Sequence, residues 1–141
     1  MTQANAIAEL IEHLSRRIQG AAYAHDLKPA QWSALRYYAR ADRTARTIRA
    51  FAGVHASSHS AASQIVTGLK RKRLLVSYTS KRDAREQVVE LTAAGARLLR
   101  HDPLKPITRA LKRMNEREQR VLLKSLRHLL DGAFHRHARA D

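Results

Sequence analysis

Short polar side chains dominate one face of a segment near the middle of the chain. They can donate or accept hydrogen bonds, and a cation follows them: Ser60, Ser63, Gln64, Thr67 and Arg71. Glutamine can bond the edge of an adenine, and small residues let a helix approach the floor of a DNA groove. The alternative is a solvated helix whose basic C-terminal turn is favoured by the helix macrodipole in any case. This segment alone leaves both interpretations open.

The segment from Ser58 to Lys72 also has the period of a helix with one buried side. Apolar residues recur at spacings of three and four, which predicts a stripe facing a core. The stripe consists of Ala62, Ile65, Val66 and Leu69. Ser57 or Ser58 is the expected N-cap, because a hydroxyl accepts a hydrogen bond from a free N–H of the first turn. The polar side chains therefore face outward.

Two predicted strands follow this helix. Leu74–Thr79 and Glu86–Leu91 are rich in Val, Leu, Tyr and Thr, the composition of half-buried strands. The turn between them carries three cations, Lys81, Arg82 and Arg85. A helix followed by a hairpin with a cationic tip is typical of a winged-helix domain.

One acid lies among the cations of this turn. Asp83 and Arg85 are two residues apart, so in an extended chain their side chains point the same way. The carboxylate is then expected to hold the guanidinium in one orientation for a phosphate or a minor groove. The alternative is an exposed hairpin with a weak surface ion pair.

The chain resembles the MarR family (multiple antibiotic resistance regulators). Its wing segment is similar to that family's wing motif in the pattern Ser80-x-x-Asp83-x-Arg85-x-x-x-Val89-x-Leu91-Thr92-x-x-Gly95. The run Ala62-Ser63-Gln64, an apolar pair and Leu69-x-x-Lys72 resemble the recognition helix. The order of elements agrees from about Ala4 to Leu130. The resemblance implies a regulator that binds double-stranded DNA as a homodimer and responds to a small aromatic or anionic effector.

Two positions depart from the family pattern. Many members have glycine where Arg73 stands between helix and strand, so Arg73 must avoid the left-handed conformation or accept about 1 kcal/mol of strain. The turn before the recognition helix, residues 55–57, also lacks glycine.

The helix before the recognition helix is also predicted to contact DNA, because Arg46 and Thr47 at its N-terminus are expected to bind phosphate. The full set is Arg46, Thr47, Ser58, His59, Ser60, Ser63, Gln64, Thr67, Arg71, Lys81, Arg82, Asp83 and Arg85. Net charge supports this set, since the chain carries +15 while residues 1–35 sum to zero. Residues 70–85 hold seven cations and one acid. Such clustering favours a nucleic-acid partner over general solubility charge.

Two amphipathic helices are predicted near the chain ends, at Asn5–Tyr23 and after a capping pair formed by Asn115 and Glu118. Neither apolar face has an obvious intrachain partner large enough to cover it, which predicts that they pack on each other and on a second copy. The predicted dimerisation residues are Ile7, Leu10, Ile11, Leu14, Ile18, Leu122, Leu126, Leu129, Leu130 and Phe134.

The intervening elements are less informative. Pro29 suits the first turn of a helix whose buried face would contain Trp32, Leu35, Tyr38 and Ala39. Residues 44–47 are expected to add a minimal third strand, and a helix from Ile48 to His55 to carry Phe51 and Ala52 inward. Prolines 103 and 106 are expected to interrupt a helix that Thr92 caps.

The helix that begins at Pro29 also contains candidate residues for a ligand site. Trp32, Arg36 and Tyr37 are candidates to line a cleft, although Trp32 is the better candidate for the core.

Composition excludes several functions. The chain has no cysteine, no glycine-rich phosphate loop and no zinc-protease motif, so we expect neither catalysis, nor a cofactor, nor a metal. It has no signal peptide and no apolar run long enough for a membrane span, which fits a cytoplasmic protein that does not contact a membrane.

These features predict a mainly α fold with a small β-hairpin wing. The predicted divisions are an N-terminal dimerisation helix (1–28), a winged helix-turn-helix DNA-binding domain (29–92) and C-terminal helices that complete the dimerisation region (93–141). The predicted function is ligand-responsive, sequence-specific transcriptional regulation on a pseudo-palindromic operator. Two alternatives stay open: an architectural DNA-binding protein with little sequence preference, and an interaction module whose winged helix no longer binds DNA.

Overall fold

The computed structural model describes residues 1–55 and 58–134 of the chain. It is mainly helical, with one antiparallel hairpin, and it divides into two compact units, 1–103 and 104–141. The helices of the first unit are α1 (Gln3–Ala22), α2 (Pro29–Arg40), α3 (Ile48–Val54), α4 (His59–Arg71) and α5 (Ala93–Leu98). Its strands are β1 (Leu75–Thr79) and β2 (Gln87–Leu91). The second unit contains α6 (Lys105–Lys112) and α7 (Glu116–Phe134). The three-part functional division predicted from sequence stays a prediction.

Helix α2 forms the centre of the core of the first unit. Pro29 occupies its first turn, and the Gln31 side chain accepts a hydrogen bond from the Lys28 N–H at 2.9 Å. Trp32 is 1% exposed, and its indole Nε1–H donates to the Ala22 carbonyl at 2.8 Å. The prediction that Ala39 is buried was wrong: Ala39 lies one residue before the end of α2 and is exposed, whereas Ala34 is buried. The buried indole is therefore anchored to the end of α1.

The expected third strand is reduced to a single bridge. Residues 43–45 form a 3-10 turn, and only Thr47 pairs with β2, opposite Val88. The Val89 N–H donates to the Arg46 carbonyl at 2.8 Å. The Asp42 carboxylate accepts from two backbone N–H groups of the turn, and this favours a turn over extended chain. The bridge still joins the start of α3 to the wing.

Helix α4 has the predicted apolar stripe. Ala62, Val66 and Leu69 are buried, and Ile65 is partly buried against the same core. Ser58 is the N-cap, and its hydroxyl accepts from the Ala61 N–H at 3.1 Å. The alternative cap, Ser57, lies outside the described residues.

The passage from α4 into β1 contains the left-handed residue considered from sequence. Arg73 has φ 59°, so it adopts the conformation that glycine would adopt without strain. Leu75 then pairs with Leu91, and the register continues to Thr79 opposite Gln87. Both strands begin one residue later than predicted.

Gly95 of the wing motif has a packing reason. A Cβ at this position would collide with the Leu74 carbonyl oxygen and with the Leu91 side chain. Absence of a side chain therefore lets α5 lie against the base of the hairpin.

The chain between α5 and α6 contains a 3-10 turn (Leu99–His101) and then Pro103. Pro106 does not interrupt a helix as predicted, because it lies in the first turn of α6, where its missing N–H costs nothing. The predicted capping pair at the start of α7 is confirmed. Asn115 N–H donates to the Glu118 carboxylate at 3.1 Å, and Glu118 N–H donates to the Asn115 side chain at 2.9 Å. No helix in residues 1–55 or 58–134 is both long and apolar enough to span a bilayer.

Candidate nucleic-acid interface

The outward face of α4 carries the predicted polar residues. Ser60, Gln64, Thr67 and Arg71 are exposed, while Ser63 is partly buried beside the stripe. These residues are outward because Ala62, Val66 and Leu69 hold the opposite face against the core. The face thus presents hydroxyls and one amide at the helix centre and a cation in its last turn. Such a surface can read base edges at its centre and contact phosphate at its end.

A groove of about 410 Å³ lies between the start of α3, the start of α4 and the wing. Its lining consists of Thr47, Ile48, Arg49, His59, Asp83, Arg85, Glu86 and Gln87. Two predicted sets of contacts, the start of α4 and the wing, therefore meet at one concavity. Sequence reasoning did not select Arg49 or Gln87 as contacts. The signal for Arg49 was a series of four arginines at intervals of three residues, namely Arg40, Arg43, Arg46 and Arg49.

The wing turn is built by hydrogen bonds from side chains to backbone. The Ser80 hydroxyl accepts from the N–H of Arg82 at 3.1 Å and of Asp83 at 3.4 Å. The Asp83 carboxylate accepts from the backbone N–H of Arg85 at 2.9 Å. The predicted pairing with the Arg85 guanidinium was wrong, because the chain turns here instead of extending, and within the described ranges no ion pair joins the two side chains. Asp83 therefore fixes the backbone that carries Arg85.

Arg46 and Thr47, the phosphate contacts predicted at the start of α3, have partners within the chain. Thr47 is 6% exposed, and its hydroxyl caps α3 by accepting from the Ala50 N–H at 3.0 Å. The Arg46 Nε–H donates to the Ala41 carbonyl at 3.0 Å, and its guanidinium lies 3.6 Å from the Glu90 carboxylate. Both residues hold the scaffold together between α2 and the wing.

Lys72 of the basic segment 70–85 also has partners within the chain. Its ammonium donates to the Asp26 backbone carbonyl and lies 3.6 Å from the Asp26 carboxylate. Asp26 itself has φ 56°, in the turn between α1 and α2. The C-terminal end of α4 is therefore tied to the turn that follows α1.

The pKa of His55 is lowered by its surroundings. Burial lowers its pKa below the usual range, and the nearby cations Arg36 and Arg40 lower that pKa further. Its ring lies 4.7 Å from the Phe51 ring. No group of three potential metal ligands occurs among His, Asp and Glu residues in the described part of the chain.

The predicted ligand-cleft residues have internal partners. Trp32 belongs to the core, as the preferred interpretation had it, so it does not line a cleft. The Arg36 guanidinium donates to the Asp102 carboxylate at 2.6 Å, with both side chains largely shielded from solvent. The Tyr37 hydroxyl donates to the Ala45 carbonyl at 2.7 Å. The three side chains therefore stabilise the first unit.

The predicted dimerisation residues are mostly exposed. Leu10 on α1 is 64% exposed and Phe134 on α7 is 72% exposed. The other exposed members are Ile7, Leu14, Leu126, Leu129 and Leu130, and the partly buried ones are Ile11, Ile18 and Leu122. Each terminal helix thus presents an apolar face to solvent, which is unusual for a soluble chain without a partner.

Three features together define a winged helix-turn-helix fold. They are helix α3, helix α4 with its outward polar face, and the basic hairpin, which is bridged to Thr47. The model of the MarR family matches residues 25–86, which run from the turn before α2 into the wing. Over these residues the chain is similar to the MarR family of winged-helix transcriptional regulators.

Solved structures agree with this fold over most of the chain. The S. aureus MepR–DNA complex matches with a TM-score of 0.71 and 18% identity, covering 94% of this chain and 98% of that one. S. aureus MepR bound to ethidium bromide matches with a TM-score of 0.62 and 18% identity, covering 94% and 96%. A probable transcriptional regulator from Pseudomonas aeruginosa matches with a TM-score of 0.66 and 22% identity, covering 87% and 96%. No curated protein matches the sequence.

Proposed function

We propose that the chain is a sequence-specific regulator that binds double-stranded DNA in the cytoplasm and represses transcription by occupying its operator. The observation that carries the proposal is the groove beside the outward face of α4, whose lining includes Arg49 and Arg85. Cations in such a groove can position a phosphate backbone. The polar face beside it supplies the donors and acceptors that distinguish bases.

We further propose that the working form is a homodimer. Exposed apolar faces on α1 and α7 support this, because a second copy would remove them from water. Two-fold symmetry would place two α4 helices on half-sites about one helical turn apart, and the operator would then be pseudo-palindromic. One structural relative, S. aureus MepR, forms a complex with DNA, which is consistent with the proposal.

Competition between duplexes tests the proposal against the architectural alternative. A footprint on DNA flanking the gene defines a candidate operator, and the protein is then titrated with that duplex and a random duplex of equal length. Specific binding requires the operator to win by about 1000-fold or more at physiological salt. Equal affinities would establish the architectural alternative, and no affinity for either duplex would leave the interaction module.

Salt dependence provides a second measurement. If each subunit places three to five cations on phosphates, log K should fall with log salt with a slope of roughly −5 to −9 for the dimer. A slope near zero would mean that the charge serves another partner. Repression is tested by transcription in vitro from a promoter containing the operator, where added protein should lower the transcript level.

We also propose that a small aromatic or anionic effector releases the DNA. The similarity to the MarR family over residues 25–86 motivates this, and one structural relative, S. aureus MepR, binds ethidium bromide. Trp32 is buried, and Arg36 and Tyr37 already donate to Asp102 and to the Ala45 carbonyl, so an effector at these two side chains would compete with internal partners. A thermal-shift screen of phenolic carboxylates, with ethidium as the cationic comparison, tests the proposal, and a flat response to all of them would contradict it.

A further inference from the structure

The second unit carries a large positive charge that the DNA-reading surface does not include. Residues 104–134 contain eight cations and three acids, a net charge of +5. The cations are Lys105, Arg109, Lys112, Arg113, Arg117, Arg120, Lys124 and Arg127, and all eight are exposed. The acids are Glu116, Glu118 and Asp131. This excess is comparable to the +6 of residues 70–85, whereas residues 1–35 are neutral overall.

Helix α6 separates its cations from its apolar residues. Lys105, Arg109 and Lys112 follow one another at spacings of four and three, so they share one face. Leu104, Ile107 and Leu111 recur at the same spacings on the other side and are partly buried. No acid occurs between Lys105 and Arg113, so nothing within this helix neutralises the basic face.

Helix α7 repeats this arrangement. Arg117, Arg120, Lys124 and Arg127 recur at three and four, away from the apolar face that includes Leu126 and Leu130. Two of the acids do little to cancel the charge. Glu116 makes an exposed ion pair with Arg120 at 3.6 Å, and Glu118 caps the helix. Asp131 lies at the end of the basic face, four residues after Arg127.

We propose that the basic faces of α6 and α7 form a second DNA-binding surface, which holds duplex outside the operator. The inference rests on the proposed function, since it assumes that the first surface binds an operator. Dimerisation through the apolar face of α7 would leave these cations exposed, because they lie on other sides of the same helices. The DNA would be either the flank of the operator duplex or a second duplex.

The residue types favour phosphate as the partner. Five of the eight cations are arginine, whose planar guanidinium matches phosphate with two parallel hydrogen bonds. A membrane-surface helix would also be basic, but it typically carries Trp or Phe among its apolar residues. Phe134 is the sole aromatic residue within 104–134, and it is the last residue of α7. Unneutralised positive charge also repels itself, and a polyanion relieves that repulsion.

The test uses charge-matched variants of the full chain. The first variant is Lys105→Gln/Arg109→Gln/Lys112→Gln, in which glutamine keeps the helix propensity. A second variant, Arg117→Gln/Lys124→Gln/Arg127→Gln, repeats the test on α7 in case the first is misfolded. The control is Arg16→Gln/Arg17→Gln/Lys28→Gln, which removes the same three charges from the neutral N-terminal segment. Circular dichroism and sedimentation verify that each variant is folded and has the wild-type oligomeric state.

Three DNA measurements are made with each protein. The first is affinity for a duplex that ends at the edges of the footprint. The second is affinity for the same operator with about 30 base pairs added on each side. The third is capture of a labelled second duplex by protein bound to an immobilised operator. The extended duplex reports on the flank, and the capture reports on a second duplex.

The α6 and α7 variants should match the wild type on the short duplex. On the extended duplex, or in capture, they should lose about tenfold, with the salt slope of that arm reduced by roughly 3–5. The control should match the wild type in all three. An equal loss in the control, or a wild type that neither gains from the flanks nor captures a second duplex, overturns the inference. Binding of anionic vesicles that needs these cations, with unchanged DNA binding, also overturns it. A wild type that fails on the short duplex instead contradicts the proposed function.

Discussion

The Asp83 carboxylate lies 2.9 Å from the backbone nitrogen of Arg85 and accepts its N–H. The acid therefore orients the peptide that carries Arg85, and it does so at the lining of the groove beside α4. An acid in a DNA-binding wing opposes the phosphate backbone by Coulomb repulsion. A role in fixing the turn gives a physical reason for its presence.

This role predicts opposite effects for two substitutions at one position. Asp83→Asn keeps a carbonyl oxygen that can accept from the Arg85 N–H and removes the negative charge, so operator affinity should be unchanged or higher. Asp83→Ala removes the acceptor and should weaken binding by about 0.5–1.5 kcal/mol. Fluorescence anisotropy on one operator duplex measures both, with Arg85→Ala as the reference for loss of the cation. If the alanine variant binds more tightly than the wild type, charge alone decides and the turn is irrelevant.

Gln64 on the exposed face of α4 should discriminate between bases. Gln64→Ala should cost about 1–3 kcal/mol on the operator and little on random DNA, with relaxed preference at one base pair in each half-site. Lys81→Ala is the control, because loss of a phosphate contact should weaken binding to both duplexes alike. Selection of binding sites from a randomised half-site reads out the preference. An unchanged preference at every position would exclude base reading by Gln64.

Arg73 should store backbone strain. Its φ of 59° costs a residue with a Cβ about 1 kcal/mol that glycine does not incur. Arg73→Gly should therefore have a free energy of unfolding about 1 kcal/mol above that of Arg73→Ala, which loses the same charge but keeps the strain. Urea denaturation of the two variants gives the comparison directly. Equal stabilities would mean that the surrounding contacts do not enforce the left-handed conformation.

The apolar face of α7 should hold the dimer together. Replacing Leu126 and Leu130 by glutamate should yield monomer or aggregate, because the face could no longer be buried against a second copy. Replacing Ser125 and His128 by glutamate adds the same two acids on another side of the helix and should preserve the dimer. Sedimentation velocity at micromolar concentration distinguishes the outcomes. A monomeric wild type would refute the dimer outright.

Periodicity in the sequence determined which elements form and which faces they bury. Local spacing predicted the apolar stripe of α4, the hairpin and the capping pair at Asn115 and Glu118, with the bounds of α4 and of the strands correct within one residue. Together these elements predicted the mainly α fold with a wing. Local patterns suffice here because the period of apolar residues and the chemistry of caps act over a few residues. The family resemblance also came from a local motif, and the family model confirms it.

Tertiary structure decided which polar groups remain available. Four residues would be expected from sequence to expose their polar or charged groups: Arg36, Arg46, Thr47 and Lys72. In the folded chain each of them instead bonds a backbone group or an acid of the first unit. Several of these partners are distant in sequence; Asp26, for example, lies 46 residues from Lys72, and Asp102 lies 66 residues from Arg36. The predicted ion pair in the wing was wrong for a related reason. Asp83 could pair with the Arg85 guanidinium in an extended chain or bond the backbone in a turn, and the hydrogen bonds of the Ser80 hydroxyl favour the turn. Sequence spacing determines on which face of an element a side chain lies, but only the packed chain determines which partner that side chain contacts.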